Sequence, residues 1–343
     1  MSRQIVAPTS ASLALAAQRL RAGELVAFPT ETVYGLGADA GNSDAVHRIF
    51  AAKGRPSDHP VIVHLANVAH VEHWAREFPD GARKLGAAFW PGPLTLILPR
   101  VASVADAVTG GQDSVGLRMP SHPVAQQLLA AFAALGGTGI AAPSANRFGH
   151  ISPTTVTHVR EELGDRVDLI LDGGACEVGI ESTIVDVSGG SPVLLRPGRI
   201  SEEEIEAVLQ VPLARPSGGS PRVSGTLAAH YAPRLPLIIA SSGMLDAVVR
   251  EQASRQLVAV LARRPRPGYS SATVWMVGPR DAAEFAHYLY AGLRQLDQCG
   301  CSVIIVEAPP ETPDWAAVRD RLGRAAVGSG AKPIGADSAV RAG

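Results

Sequence analysis

FPTETVYGLG, residues 28–37, closes the apolar run ELVAFPT at 24–30 and sets the reading of the chain. The run is short, apolar and stopped by Pro29, the pattern of a buried strand feeding a loop. Two further stretches have the same build: KGRPSDHPVIVH at 53–64 and APSANRFGHISPT at 142–154. Each joins an apolar strand to a loop rich in Gly, Pro, Ser or Thr. Each also carries hydroxyls, cations or amides that a plain connector does not need. Loops on a rigid sheet are where binding and catalysis concentrate, so the three stretches are read together as one site.

Outward from these stretches the periodicity alternates. It predicts helices over 12–22, 43–52 (Ser43 as N-cap), 123–135 and 154–163. Strands are expected over 61–65, 94–98, 114–119, 139–142, 167–172, 182–187 and 193–196. Strands interleaved with helices argue for an α/β sheet. A helix over 201–209 opens on a capping box, Ser201 with Glu204. The stretch PLARPSGGSPR at 212–222 reads as a linker. Beyond it, strands over 235–240, 257–262, 273–277 and 302–307 alternate with helices, as in a small doubly wound domain. The expected division is a first domain over 1–205, a linker over 206–234 and a smaller Rossmann-like α/β domain over 235–343.

The composition excludes several classes. The chain has 343 residues, net charge −1 and three cysteines. Near-neutral charge gives no global nucleic-acid footprint. Few, irregular cysteines give no disulfide framework and point to a reducing cytoplasm. No stretch approaches the ~20 apolar residues of a membrane span, so no membrane partner is expected.

Gly35-Leu36-Gly37-Ala38-Asp39-Ala40 matches G-x-G-x-x-A, and Asp58 lies downstream. A dinucleotide fingerprint needs its first glycine directly after the strand, however, and PTETVY intervenes. Lys53 and Arg55 flank Gly54 ahead of Pro56, which keeps Arg55 out of helical geometry. This pair suits a polyphosphate or is a solvated basic loop. Arg118 and Arg196 each end an apolar strand, where ligands of open α/β sheets gather. Ser144 and Asn146 offer a hydroxyl and an amide on one side of an extended segment, or else serve turn chemistry. Thr30, Thr32, Ser152 and Ser182 are ambiguous singly. His64 reads as a core residue or a ligand. No metalloprotease helix, zinc spacing, nucleophile elbow or Walker loop is present. Positioning and charge stabilisation therefore suffice, as in phosphoryl and nucleotidyl transfer.

Taken in order, FPTETVYGLG, KGRP, PVIVH, WPGPLT, GLRMP, APSAN, GIESTIVD and LLRPG resemble the YrdC-like family over residues 10–200. HYAP at 230–233 and the domain after it resemble the family's long, two-domain form. The resemblance implies a twisted mixed sheet, mostly parallel, with a concave, positively charged face. It implies an enzyme that makes threonylcarbamoyl-adenylate and pyrophosphate from L-threonine, bicarbonate or CO2, and ATP. Mg2+ is expected with ATP, with no ligand named. The product would pass to a tRNA threonylcarbamoyltransferase acting next to the anticodon, with direct tRNA contact an open point.

By the same resemblance Thr30, His64, Arg118, Ala142 (through its backbone) and Ser182 would surround threonine. Lys53, Arg55, His59, Ser114, Ser144, Asn146, Ser152 and Arg196 would hold ATP. Tyr231 would reach from the linker as a lid. His59 stands where the family pattern has Asn, and the linker reads VSGTLAAHYAP where the family has a basic version. Two other readings are another carbamoyl-transfer enzyme and a non-catalytic RNA-binding module.

Overall fold

A computed structural model describes residues 4–330, and the chain divides into two compact units. Residues 1–3 and 331–343, which the sequence reading assigned to the two domains, lie outside the described residues. The first unit comprises residues up to Phe148 and from Ser152 to Thr226; the second comprises Gly149–Ile151 and the chain from Leu227.

The first unit contains β1 (Gln4–Val6), α1 (Ser10–Arg21), β2 (Val26–Phe28), β3 (Gly35–Asp39), α2 (Ser43–Lys53), β4 (Ile62–His64), α3 (Asp80–Phe89) and β5 (Leu94–Pro99). It continues through α4 (Asp106–Thr109), β6 (Ser114–Arg118), α5 (Pro123–Ala134), β7 (Ile140–Ala141), α6 (Val156–Leu163), β8 (Leu169–Leu171), β9 (Thr183–Asp186), β10 (Val193–Arg196) and α7 (Glu202–Leu209). Helix α7 carries the expected capping box and crosses the expected boundary at residue 205.

These strands form a ten-stranded sheet in the order β1-β8-β2-β3-β7-β4-β6-β5-β9-β10. The sheet is mixed, as expected, but not mostly parallel. The pairs β2–β3, β3–β7, β7–β4, β6–β5 and β9–β10 run antiparallel. The run GLGAD is itself β3, paired with β2 in register Phe28↔Gly35. Gly35 and Gly37 lie inside this strand and not in the turn that leads to α2, so the apparent dinucleotide fingerprint lacks the strand-to-helix glycine turn it needs. The start of α2 also differs: Asn42, not Ser43, is the N-cap, accepting from the Asp44 and Ala45 amides.

Alternation along the strands decides where the site lies. On β4, β5, β6 and β9, Val63, Leu94, Leu96, Leu98, Val115, Leu117 and Val185 enter the main core with Val46, Ile49 and Phe50 of α2 and Leu85 of α3. Successive strand residues point to opposite faces. His64, Thr95, Ile97, Ser114, Gly116 and Arg118 therefore share the other face. A β-bulge between Leu194 and Arg196 re-aims the end of β10, placing Arg196 opposite Ile184 on that same face.

The second unit holds β11 (Leu237–Ala240), α8 (Leu245–Ala253), β12 (Val258–Ala262), β13 (Val274–Val277), α9 (Ala282–Asp297), β14 (Val303–Glu307) and α10 (Ala316–Gly328). Its four-stranded sheet is entirely parallel, in the order β11-β14-β12-β13. Val258, Val260 and Ala262 pack on Leu245, Val248 and Val249 of α8. Leu261 and Phe285 of α9 meet at Gly278. The unit is thus an open α/β sheet with helices on both faces. The return of β14 between β11 and β12 sets it apart from the usual Rossmann order.

Candidate active site

Strand register brings distant residues into one row. His64 lies opposite Arg118 across β4–β6, and Arg118 lies opposite Thr95 across β6–β5. Thr95 Oγ1 and Ser182 Oγ are 2.8 Å apart. Arg196 donates from Nε and Nη2 to the Ser182 carbonyl at 3.1 and 2.9 Å, and from Nη2 to its hydroxyl at 3.1 Å. His64, Arg118, Ser182 and Arg196, each expected in the site, are all buried and meet along this row. Gly198 permits the close approach of the LLRPG turn: a Cβ there would lie 2.3 Å from the Thr183 nitrogen.

The charges in this row are unusual. Arg118 Nη2 lies 2.7 Å from Glu31 Oε1, and both side chains are about 95% buried (5% and 4% exposed). Glu31 was not anticipated, although it stands between the two threonines of FPTETVYGLG. Burial first, and the Arg118 charge second, push the His64 imidazole down to about 3. His64 is therefore neutral at physiological pH, and its buried Nδ1 has no hydrogen bond of ordinary geometry.

A second cluster lies on the expected ATP side. Arg55 donates from Nη2 to the Pro60 carbonyl at 2.8 Å and to Ser224 Oγ at 3.1 Å. Arg196 Nη1 donates to the Ser224 carbonyl at 2.6 Å. Ser224 belongs to the linker, so one linker residue bridges both arginines; nothing in its local sequence signals this. Its neighbour Val223 packs on Ile97, Ile184 and Leu195, the small apolar floor between the arginines. Across that floor Gly116 carries no side chain, and an added Cβ would lie 3.2 Å from Ile97. Ser114, half-buried, begins β6 on the same face. His59 is in edge contact with Phe148, and burial and Arg55 lower its basicity.

Several expected residues have hydrogen-bond partners within the protein. Lys53 was read as one of two loop cations facing phosphate. It is the last residue of α2, and its ammonium donates to the Ser144 and Asn146 carbonyls. Burial lowers its pKa well below the ordinary lysine value, with Arg55 adding to the shift. Lys53 is thus a strut for the 144–146 loop. Thr30 caps its own turn: its hydroxyl donates to the Val33 carbonyl at 2.7 Å and accepts from the Thr32 and Val33 amides. A short hydroxyl two or three residues before free amides makes this local bond readily. Ser152 donates to Glu181 at 2.6 Å, both residues being buried. The Ala142 N–H donates to the Ile62 carbonyl. Asn146 donates from its amide to the Arg147 carbonyl at 2.7 Å.

Tyr231, expected as a lid, packs within the second unit. It is buried in the second unit, with φ near 61°, stacked on Tyr290 at 5.8 Å and covered by Arg321 at 5.4 Å. An aromatic held by a ring and a guanidinium is core packing. The linker residues against the arginines of the first unit are Val223 and Ser224.

Two family descriptions match the chain: "Telomere recombination" over residues 18–198, and "Threonylcarbamoyl-AMP synthase, C-terminal domain" over 200–327. The chain is 40% identical over 326 residues to the threonylcarbamoyl-AMP synthase of Pyrococcus abyssi, covering 91% of this chain and 93% of that one. It is 43% identical over 327 residues to the protein of that name from Bacillus subtilis, covering 92% and 93%. Its structure resembles that of P. abyssi Sua5 complexed with L-threonine, with a TM-score of 0.87 at 37% identity, over 94% of this chain and 96% of that one. By sequence, domain content and fold, the chain belongs to the threonylcarbamoyl-AMP synthase family in its two-domain form.

Proposed function

We propose that this chain is an L-threonylcarbamoyladenylate synthase, with the row His64–Arg118–Thr95–Ser182–Arg196 as its reaction floor. The observation that carries the proposal is a buried guanidinium, Arg118, beside a neutral imidazole and a pair of hydroxyls. Arg118 takes the threonine carboxylate, since a planar fork matches a carboxylate. Thr95 and Ser182 offer hydroxyls to the threonine side chain. Threonine, bicarbonate and ATP give the adenylate, pyrophosphate and water. The threonine amine first becomes a carbamate, and a carbamate oxygen then attacks the α-phosphorus, displacing pyrophosphate. Arg55 and Arg196 stand where charge develops on the phosphates. The floor of Ile97, Ile184 and Leu195 suits an adenine ring, which requires Val223 and Ser224 to move aside.

Mg2+ enters as part of the nucleotide substrate. Among the described residues no group of three or more His, Cys, Asp or Glu is placed to hold a metal ion, and in this reading the ATP phosphates bind it directly. The product would pass to an enzyme that modifies tRNA beside the anticodon, in the cytoplasm. The free thiols of Cys176, Cys299 and Cys301 fit a reducing compartment. No helix among the described residues is long and apolar enough to cross a membrane.

The test is pyrophosphate release by purified protein with MgATP, with and without L-threonine and bicarbonate. Release that needs both, with the adenylate detected, is the expected result. ATP binding without threonine-dependent release would overturn it.

A further inference from the structure

The Glu31–Arg118 pair is more than a structural ion pair. Its 2.7 Å approach lacks hydrogen-bond geometry: neither Glu31 oxygen, nor Arg118 Nη2, has a hydrogen-bond partner although all are buried. Burying an ion pair pays only when its remaining lone pairs and protons are satisfied. Here the carboxylate keeps acceptor capacity beside the guanidinium, and the neighbouring His64 is neutral and brings no charge.

We infer that Glu31 is the residue that recognises the α-ammonium of the amino acid and so selects an amino acid over a hydroxy acid. The inference rests on the reading of Arg118 as the carboxylate site. A bound zwitterion gives four alternating charges: its carboxylate on Arg118 and its ammonium on Glu31. The added ligand leaves the net charge of the buried pair unchanged. A 2-hydroxy acid brings a carboxylate but no cation, so Glu31 loses Arg118 and gains nothing. A buried charge left without its partner is strongly disfavoured, and sites built for a polar group reject ligands lacking it. After carboxylation the carbamate nitrogen keeps one N–H, which donates to the same carboxylate. Glu31 is thus a specificity residue for the first substrate and leaves the α-phosphorus chemistry to other groups.

The experiment is calorimetric titration, without ATP, of L-threonine and of its 2-hydroxy analogue, 2,3-dihydroxybutyrate. Wild-type protein is expected to prefer threonine by at least about thirtyfold, the scale of one unpaired buried charge. Glu31→Gln is expected to narrow that preference tenfold or more. Wild-type protein that binds both ligands equally would overturn the inference, and this arm needs no variant to fold. Full discrimination retained in folded Glu31→Gln would also overturn it. Arg118→Met separates the two readings. Loss of both ligands upholds the carboxylate site, whereas unchanged threonine binding removes that site and the inference with it.

Discussion

Arg118 is a guanidinium placed where water cannot solvate it, and its only charged neighbour within ion-pair distance, among the described residues, is Glu31. Removing one partner of such a pair leaves a buried charge uncompensated, at a cost of about 3–5 kcal/mol. Arg118→Ala is therefore expected to lower stability in urea by that amount and to abolish threonine-dependent turnover. Wild-type stability together with an unchanged threonine KM would refute the role of the pair. Lys53 makes a contrasting case. If its ammonium is a strut for the Ser144 and Asn146 carbonyls, Lys53→Met leaves two acceptors unsatisfied, each worth about 1–3 kcal/mol. The expected result is a clear fall in melting temperature. A loss of ATP use at unchanged melting temperature would instead make Lys53 a phosphate ligand. Sequence reading identified both cations, but a carbonyl two loops away leaves no mark beside Lys53.

At the scale of single elements, β4 and β9–β10 carry the most exposed predictions. His64 ends β4 buried, with a pKa lowered from 6.5 to about 3 by burial and then by Arg118. The unfolded chain therefore binds a proton below pH 6.5 that the folded chain refuses until near pH 3. Stability is fully present above pH 6.5 and falls as pH drops through that window. By pH 5 this group alone costs about 2 kcal/mol. Urea titrations at pH 7.5 and 5.0 should show the loss in wild type and a smaller one in His64→Gln; equal losses would remove His64 as the cause. Gly198 tests the turn after β10. A Cβ there would lie 2.3 Å from the Thr183 nitrogen. Gly198→Ala should cost about 1–3 kcal/mol by forcing the backbone apart and should also raise the KM for both substrates. Wild-type kinetics would show that this approach does not position Ser182. The strands themselves were legible, because apolar runs bounded by Gly and Pro announce them. β1 and β3 were not: in GLGAD Leu36 is the one large apolar side chain, too little to show a period, and the pairing with β2 decides its state.

For the whole molecule, each unit has its own sheet and its own core. The first is larger than most single domains need to be to fold alone. A fragment ending at Thr226 is expected to unfold cooperatively in urea and to retain threonine binding, since the row from His64 to Arg196 lies within it. A non-cooperative or aggregated fragment would show that the first unit depends on the rest of the chain. The Pro-, Gly- and Ser-rich composition near residue 212 read as linker, whereas the first unit runs on to Thr226. It did not reveal that Val223 and Ser224 pack back onto the first unit, because a Pro-, Gly- and Ser-rich stretch reads as linker whether or not its backbone is bound.

The sequence by itself determined the α/β class, most of the strands and helices along the chain, and the family. Those properties rest on local periodicity, turn residues and motifs read along one dimension. It also singled out Arg118 and Arg196, because strand-terminal cations stand out against apolar runs, and the family resemblance added His64 and Ser182. Only the tertiary structure decided the strand order, the mixed direction of the sheet and the partners of those residues. Glu31 beside Arg118, Thr95 beside Ser182, Ser224 bridging Arg55 and Arg196, and Tyr231 held by Tyr290 and Arg321 all depend on register and packing between distant segments. Burial and charge pairing, which set the chemistry of each group, are properties of that assembly and not of any stretch of chain.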